Sequence, residues 1–458
     1  MQRLKKTVDM TEGPFLKKML AFTIPILISG LLQCFYNAAD LIVVGQFRGE
    51  TAVAAVGSTG SLTSLCLSLF LGLSVGAGVC VSHHIGANEP KEARKVLHTS
   101  VILSVVLSVV IALAGFFLAP SFLSMMGTPE NVHPQATVYL SITFLGVPGS
   151  LLYNYLAAIM RAAGDSKRPL IFLAISGLSN VGLNLVFITV FGMGVEGVAI
   201  ATIVSQYLSA AMALVYLMRT DGDIGFSFKE LKFSVQKMRK ILYIGVPSGL
   251  QSALFSFSNV LIQASINNFG DDVMAGSAAS SNIEGFMYIA MNSMYHVTLT
   301  FVGQNVGAKK FNNIRRLTAY SAIIVTIIGI VSGGLLVLFK DPIIDLYVDS
   351  SAAAAAATER FVLIGFTYFM CGLMEVFCGT LRALDRSITA MIISLTGACA
   401  LRIIWIETMA QWIHVPFTIY ISYPITWFVT MLTELLFVIF VSRKLLDEHR
   451  QAKLLPRI

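Results

Sequence analysis

The chain reads IGANEPKEARK at residues 85–95 and VGAKKFNNIRR at residues 306–316, and this repetition decides its fold. The shift of 221 residues is close to half of the 458-residue length. The repetition extends to IMRAAGDS at 159–166 with TLRALDRS at 380–387, Arg161 with Arg382, Pro25 with Pro247, and Asn37 with Asn259. A repeat of this length predicts a protein built of two related halves.

Hydrophobic residues make up 56% of the chain and charged residues only 12%. A soluble globular domain carries about 25% charged residues, so this composition predicts an integral membrane protein instead. Windows of about 20 apolar residues locate the helices that would cross the bilayer. They predict twelve spans, near 19–46, 52–82, 94–118, 133–158, 168–191, 196–218, 240–268, 273–301, 315–339, 357–382, 387–410 and 417–441. The predicted fold class is therefore all-α, with twelve transmembrane helices.

Basic residues are distributed unequally between the two sides of the predicted membrane. Of the 32 Lys and Arg, 28 lie before span 1, after the even-numbered spans or at the C-terminus. The opposite side holds only Arg48, Lys340 and Arg360, and Arg402 falls within span 11. This asymmetry predicts a multi-pass protein with both termini in the cytoplasm. The net charge of +7 is therefore a topology signal, and no nucleic-acid partner is expected.

The predicted organisation consists of two six-helix halves joined by a polar linker. Because six spans return the chain to the side where it started, both halves have the same orientation and form parallel repeats. The first eighteen residues are too polar for a cleavable signal peptide, so span 1 is expected to be retained. Alanines at 352–357 favour a helix and are expected to open span 10. The segments are a cytoplasmic N-terminal segment at 1–18, the first half at 19–218, the linker at 219–239, the second half at 240–441 and a cytoplasmic tail at 442–458.

Motifs for catalysis, cofactors or structural metals are not found in the sequence. GMGVEG at 192–197 lacks the strand and helix that surround a dinucleotide site. His83 and His84 have no third ligand nearby in the sequence. The chain is therefore not expected to be an enzyme or to hold a cofactor. Six cysteines lie inside predicted spans without metal-ligand spacing and are expected to be packing residues, at positions 34, 66, 80, 371, 378 and 399.

A polar stripe on span 1 is the first candidate for function. Placing an ionisable side chain at mid-membrane costs about 2.5–3.5 kcal/mol of insertion free energy. Its presence there therefore requires a functional or structural explanation. Hydrogen-bonded packing between helices is the structural alternative, but an amide would serve there as well as a carboxylate. The pattern therefore indicates a functional acid at Asp40. The residues that share this helix face are Gln33, Tyr36, Asn37 and Asp40.

Residues from three spans reach a similar depth in the first half. At about 1.5 Å per residue, Asp40, Asn184 and Thr202 lie about 9–10 Å below the outer ends of their spans. Asn180 lies one turn deeper on span 5. A carboxylate with amide and hydroxyl oxygens suits a proton or a small hard cation such as Na⁺. These four residues are the predicted cation-coupling site, with H⁺ or Na⁺ as the ion.

The second half carries polar residues of a different kind. Asn259 corresponds to Asn37, but no acid corresponds to Asp40, and Glu284 is the predicted second acidic site. Three more charged residues inside the spans fit either structural ion pairs or transport: Glu375, Arg402 and Glu434. The predicted substrate cavity comprises Gln33, Tyr36, Asn37, Gln251, Ser256, Asn259, Glu284 and Tyr288.

The order of these features resembles the multidrug and toxic compound extrusion (MATE) family over about residues 15–445. The features are an Ile-Pro pair early in span 1, the stripe that ends at Asp40, the paired (I/V)-G-A turns and the paired R-A turns. The resemblance implies a V-shaped pair of six-helix bundles. It also implies that an Asp in span 1 binds the ion with polar residues of spans 5 and 6, which correspond to Asp40, Asn180, Asn184 and Thr202. This chain departs from some relatives at Asn184, where they have a second acid, and has no acid in span 7, where others have one.

The same resemblance implies a secondary active multidrug efflux transporter that exchanges organic, mainly cationic or amphipathic compounds for H⁺ or Na⁺ by alternating access. It would act as a monomer in a bacterial-type plasma (inner) membrane. The nearest alternative is a lipid-linked saccharide or lipid flippase of the same superfamily, which needs a cationic cavity for phosphates. A membrane enzyme or receptor is disfavoured because the chain has no catalytic constellation and no large soluble domain. Against the flippase, interior acids outnumber Arg402: Asp40, Glu284, Glu375 and Glu434.

Overall fold

The computed structural model describes residues 8–220, 224–348 and 350–454. It does not describe the side chains of residues 61, 62, 64–66 and 452–454, so the prediction for Cys66 lies outside the described side chains. Parts of the predicted N-terminal segment, linker and tail also fall outside the described ranges. Within those ranges the chain is helical between its turns and contains no β-strand, which confirms the all-α class.

Twelve long helices follow one another along the described part of the chain. The first six are α1 (Phe15–Arg48), α2 (Glu50–Gly86), α3 (Pro90–Met125), α4 (His133–Ala162), α5 (Lys167–Leu185) and α6 (Val195–Met218). The second six are α7 (Val235–Asn267), α8 (Asp271–Gly307), α9 (Phe311–Leu338), α10 (Ser351–Ala383), α11 (Ser387–Trp412) and α12 (Ser422–Leu454). A π-helical turn extends α5 at Val186–Val190, and another interrupts α11 at Leu395–Ala400. Short helices lie at Phe228–Glu230, Lys340–Ile344 and Pro416–Tyr420.

Each predicted span coincides with one of these helices. Among the described helices, eleven are long and apolar enough to cross a membrane. The remaining one is α8, which has 37 residues but begins with Asp271 and Asp272 and carries Ser, Asn and Glu along its length. Several helices extend past the predicted spans, because polar turns continue the helix beyond the apolar window. In α3, for example, the predicted span 94–118 lies inside Pro90–Met125.

Packing divides the chain into two compact units. Unit 1 consists mainly of Ile24–Gly249, and unit 2 consists of Met10–Thr23 together with Leu250–Ile458. The start of α1 therefore packs with unit 2, and the start of α7 packs with unit 1. The predicted halves follow the sequence repeat instead, and they differ from the compact units at these two helix starts.

The sequence repeat is visible in the backbone of the turns. Asn88 and Lys309, which are 221 residues apart, both have a positive φ, of 58° and 56°. The residue before each of them donates a backbone hydrogen bond of 2.9 Å to the carbonyl four residues earlier. The two halves therefore share local backbone geometry as well as sequence. Two further pairs with positive φ have the same shift: Gly49 with Gly270, and Gly164 with Asp385.

In unit 1, glycines bring α2 and the start of α7 into backbone contact. A Cβ on Gly72 would lie 2.1 Å from the backbone nitrogen of Gly249, and one on Gly76 would lie 2.3 Å from the carbonyl oxygen of Ile241. A larger residue at Gly72 would therefore push the two helices apart. These glycines of α2 therefore permit close helix packing.

In unit 2, the alanine run opens α10 and packs it closely on α8. Ser350 caps the helix through a 3.4 Å hydrogen bond from the Ala353 nitrogen. A Cβ on Gly276 of α8 would lie 2.2 Å from the Ala353 carbonyl oxygen, and Ser280 Oγ donates to the Ala357 carbonyl at 2.9 Å. The alanines therefore confirm the predicted helix start and also keep the distance between α8 and α10 short.

In unit 1, Ser234 and the first turn of α7 bind the helix ends on either side of the turn between α2 and α3. Lys237 Nζ lies 2.8 Å from Glu92 Oε2 and donates to His84 Nε2 at 2.9 Å. The Ser234 nitrogen donates to Thr99 Oγ1 at 3.2 Å. Because an ammonium group only donates, Nε2 of His84 must accept, which fixes the proton of the neutral ring on Nδ1. We call this set of contacts the unit 1 clasp.

In unit 2, the segment before α1 binds the corresponding turn between α8 and α9. Lys310 Nζ forms an ion pair with Glu12 at 2.6 Å and a hydrogen bond with Thr11 Oγ1 at 3.2 Å. Asn305 Nδ2 donates to the carbonyl of the buried Met10 at 2.9 Å. This unit 2 clasp lies at the repeat-related position, but its residue types differ from those of the unit 1 clasp.

Candidate functional site

Asp40 on α1 meets polar residues of α5 and α6 inside unit 1. Its side chain is buried, and Asn184 Nδ2 donates a hydrogen bond to its Oδ1. Thr202 Oγ1 lies 3.5 Å from Oδ2. Asn180 accepts from Asn184 at 3.4 Å and donates to Thr202 at 3.4 Å. The structure therefore brings together the four residues of the predicted cation site.

The partners of Asp40 are neutral amide and hydroxyl groups. Among the described residues, no Lys, Arg or His forms an ion pair with it. The Thr202 hydroxyl also lies 3.0 Å from the Val198 carbonyl oxygen, and its single proton cannot serve both acceptors. The Oδ1 of Asn184 is buried and has no hydrogen-bond partner in the described part of the chain. The oxygen ligands therefore fit an additional positive charge, either a proton on Asp40 or a sodium ion.

Local structure explains how α5 presents its two amides. Asn180 and Asn184 are four residues apart, so they lie on one face of the helix. The π-helical turn at Val186–Val190 begins directly after α5, within two residues of Asn184. Such π-helical turns occur frequently at functional sites in helices.

The rest of the stripe on α1 has two different environments. Tyr36 packs on α5: its hydroxyl donates to the Ala174 carbonyl at 3.3 Å, and its ring fills the space beside Gly177. Gln33 and Asn37 are exposed, as expected for residues that face a cavity or a substrate path. Their role in substrate binding remains a prediction.

In unit 2, Glu284 is engaged in a buried ion pair. Its two carboxylate oxygens accept from Arg360 Nε at 2.8 Å and Nη2 at 2.9 Å, and Arg360 Nη1 donates to Ser277 Oγ at 2.7 Å. Both charged side chains are less than 9% exposed. The structure therefore places Glu284 in a two-hydrogen-bond pair on the α8–α10 contact, rather than on an open surface that selects cations.

The other predicted cavity residues of unit 2 also divide by environment. Gln251 is buried and accepts from Arg382 Nη2 at 2.7 Å, so its oxygen is occupied. Asn259 is exposed, and Ser256 is half-buried with its hydroxyl bonded to the Ser252 carbonyl. Tyr288 is 42% exposed, and its hydroxyl donates to Glu375 Oε1 at 3.2 Å.

The charge count inside unit 2 corrects the sequence analysis. Arg360 and Arg382 are buried together with Arg402, so interior acids do not outnumber interior arginines in this unit. Arg402 bonds Thr426 and stacks over Tyr423 at 4.0 Å, with no carboxylate partner among the described residues. The sequence does indicate a position within the membrane for Arg360, because this residue lies inside the predicted span 357–382. The charge distribution predicts an outer position for Arg360, whereas the structure buries it against Glu284.

No group of three or more His, Cys, Asp or Glu side chains suited to a metal ion occurs within the described ranges. The candidate cation ligands near Asp40 are a carboxylate, two amides and a hydroxyl. These oxygen ligands are typical of hard cations and not of zinc or copper.

Two comparisons of the sequence agree with the fold. The family model described as MatE matches residues 25–186 and 247–406, once in each half of the chain. The probable multidrug resistance protein YpnP of Bacillus subtilis (strain 168) is 28% identical over 414 residues, which cover 89% of this chain and 91% of YpnP. The multidrug export protein MepA of Staphylococcus aureus (strain NCTC 8325 / PS 47) is 23% identical, covering 86% of this chain and 88% of MepA.

Solved structures show the same fold. A multidrug resistance MATE family transporter of the MOP superfamily, solved in the outward-facing conformation, gives a TM-score of 0.91 at 20% identity and covers 97% of this chain and 100% of its own. A MOP superfamily transporter from Pyrococcus furiosus gives 0.90 at 20% identity, covering 96% and 99%. Since the family model covers more than half of the sequence and matches both halves, the chain belongs to the MatE family of membrane transporters.

Proposed function

We propose that this transporter is a secondary active multidrug exporter that exchanges organic, mainly cationic compounds for H⁺ or Na⁺. The names of YpnP and MepA support the substrate class, because both relatives are described as multidrug resistance or export proteins. The cluster around Asp40 is the single observation that supports ion coupling. The transporter would work as a monomer in the plasma membrane. Both of its termini would lie in the cytoplasm, as the basic loops predict.

The chemistry of the Asp40 cluster supports exchange without a covalent step. Taking a carboxylate out of water disfavours its charged form, so Asp40 gains stability when it binds a positive charge. Rotation of the Asn184 amide by half a turn would present its unpartnered Oδ1 to a sodium ion or to a protonated Asp40. Binding of the ion and of a cationic drug would then favour different charge states of the same protein. Competition between them makes the exchange obligatory.

The available driving force is large enough for export. A membrane potential of 100 mV contributes about 2.3 kcal/mol for each net charge moved. One pH unit contributes about 1.4 kcal/mol for each proton. One pH unit would therefore concentrate a drug about tenfold on one side of the membrane, and 100 mV with one net charge moved would concentrate it about fiftyfold.

The test uses purified protein in liposomes loaded with a monovalent cationic dye such as ethidium. A pH gradient and a sodium gradient are applied separately, each with the ion-rich side opposite to the dye. We expect one gradient to drive dye movement and the other to have no effect at equal membrane potential. Dye movement that is independent of both gradients would reject ion-coupled export.

A second candidate function is movement of an anionic lipid-linked saccharide, and the arginines of unit 2 favour it. Arg402 has hydroxyl and aromatic neighbours but no carboxylate, and Arg382 bonds Tyr295 and Gln251. A phosphate would supply the missing negative charge. In the same liposomes, flipping of a fluorescent lipid-linked saccharide phosphate without any cationic dye transport would decide for this alternative.

A further inference from the structure

Glu434 on α12 is a fully buried acid that the proposed transport mechanism does not use. Its exposed fraction is 0%. Its Oε1 lies 2.8 Å from Ser394 Oγ on α11, and its Oε2 has no hydrogen-bond partner among the described residues. No Lys, Arg or His in the described ranges forms an ion pair with it. An ionised carboxylate in this position would be a buried charge without an ion-pair partner in the described ranges.

The hydroxyl of Ser394 gives an independent indication of the charge state. Ser394 Oγ also lies 2.9 Å from the carbonyl oxygen of Ala390, which only accepts hydrogen bonds. A hydroxyl has one proton and cannot donate to both the carbonyl and a carboxylate. Both contacts become hydrogen bonds only if Ser394 donates to Ala390 and a protonated Glu434 donates to Ser394.

From this geometry we infer that Glu434 is a second proton-binding site, in unit 2, and holds a proton at neutral pH. The site is separate from Asp40, which lies in unit 1. It is adjacent to the π-helical turn Leu395–Ala400, where α11 approaches α12 closely. A Cβ on Gly397 would lie 2.2 Å from Thr430 Oγ1, one helical turn before Glu434. The inference does not depend on which compound the protein transports.

The charged and ionisable groups around Glu434 are consistent with a bound proton. On α10, Glu375, Arg382, Cys371 and Cys378 interact with it electrostatically. Arg382 donates from Nη1 to Tyr295 and from Nη2 to Gln251, while its buried Nε has no partner among the described residues. Glu375 accepts from Tyr288. On α9, Arg315 and Arg316 are exposed. On α11, Arg402 bonds Thr426 instead. None of these groups donates a hydrogen bond to Glu434 in the described part of the chain.

The experiment is infrared difference spectroscopy of the purified protein at neutral pH, because a protonated carboxyl and a carboxylate absorb in separate regions. The wild-type spectrum minus that of Glu434→Gln should contain one carboxylic acid band and no carboxylate band. The matched control is Glu284→Gln, whose difference spectrum should contain only carboxylate bands, because Glu284 is paired with Arg360. Loss of a carboxylate band in Glu434→Gln would overturn the inference.

A second variant keeps the inference testable if Glu434→Gln does not fold. Ser394→Ala removes the acceptor for the Glu434 proton but leaves the acid in place. The carboxylic acid band should move to higher frequency, as expected for a carboxyl that has lost a hydrogen bond. An unchanged spectrum would show that Glu434 does not donate to Ser394 and would also overturn the inference.

Discussion

The two halves of the protein share a backbone but differ in their buried charges. In unit 1, Asp40 is the one buried acid within the described helices, and no cation pairs with it. The described helices of unit 2 bury two acids and three arginines, and Glu375 is half-buried beside them; the buried residues are Glu284, Glu434, Arg360, Arg382 and Arg402. Because the turns with positive φ recur at the same shift, the repeat preserves the scaffold and leaves the chemistry free to change.

This difference in buried charge predicts different roles for the two halves. A buried acid without a cation remains costly unless it binds a proton or a metal ion, so the chemistry of Asp40 suits an exchangeable charge. An acid held by two hydrogen bonds to an arginine, such as Glu284, is already neutralised. We therefore expect Asp40 to determine transport activity and the Glu284–Arg360 pair to determine stability.

The largest expected effect is the loss of ion-driven export when Asp40 is replaced by Asn. Asp40→Asn retains the shape of the side chain but removes the ionisable group, so the ion can no longer be taken up and released. Dye export driven by the ion gradient should fall from about tenfold accumulation to that of empty liposomes. Folding should be unaffected, because a costly charge has left the membrane. The measurement is dye efflux at matched protein content.

The control for Asp40→Asn is Asp345→Asn, which removes an exposed acid and should leave export unchanged. Thr202→Val removes one oxygen next to Asp40 and should give a partial loss. If Asp40→Asn exports dye at the wild-type rate, Asp40 does not couple transport and the proposed division between the halves fails.

The second prediction concerns the ion pair of unit 2. Glu284→Gln leaves Arg360 as a buried charge with weaker partners, which costs about 3–5 kcal/mol. The midpoint of thermal unfolding in detergent should fall by many degrees, and export per folded molecule should change little. Glu359→Gln, which alters an exposed neighbour of Arg360, should leave the midpoint unchanged. A large loss of export with an unchanged midpoint would assign Glu284 to transport.

Much of the fold was predictable, because it depends on local sequence. Apolar windows located all twelve helices, and helical spacing with depth grouped Asp40 with Asn180, Asn184 and Thr202. The partner of Glu284 was missed because Arg360 was counted by its side of the membrane, although it lies within a predicted span. The assignment of the starts of α1 and α7 to the compact units depends on tertiary packing, which no periodic pattern contains.

The third prediction concerns helix packing at two positions that the repeat relates. Gly72 in unit 1 corresponds by the repeat to Ser293 in unit 2, which is buried and bonds the Ile289 carbonyl of its own helix at 2.7 Å. Gly72→Ala would place a Cβ against the Gly249 backbone, and such overpacking costs about 1–3 kcal/mol. Ser293→Ala should cost less than about 1 kcal/mol. Thermal unfolding midpoints of the two variants give the comparison, and equal losses would contradict it.

The smallest effect is expected at the two clasps, where repeat-related turns use different ion pairs. Lys237 is 13% exposed and contacts both Glu92 and His84, so Lys237→Met should lower stability by about 1 kcal/mol. Lys310 is 35% exposed and its partner Glu12 is 73% exposed, so Lys310→Met should cost at most about 0.5 kcal/mol. Salt screens exposed charges more than buried ones, so unfolding midpoints measured in 0.15 M and 1 M salt should separate the two variants. The effect of Lys310→Met should vanish at high salt, whereas that of Lys237→Met should persist. The reverse order would show that the clasp of unit 2, and not that of unit 1, holds its turn more firmly.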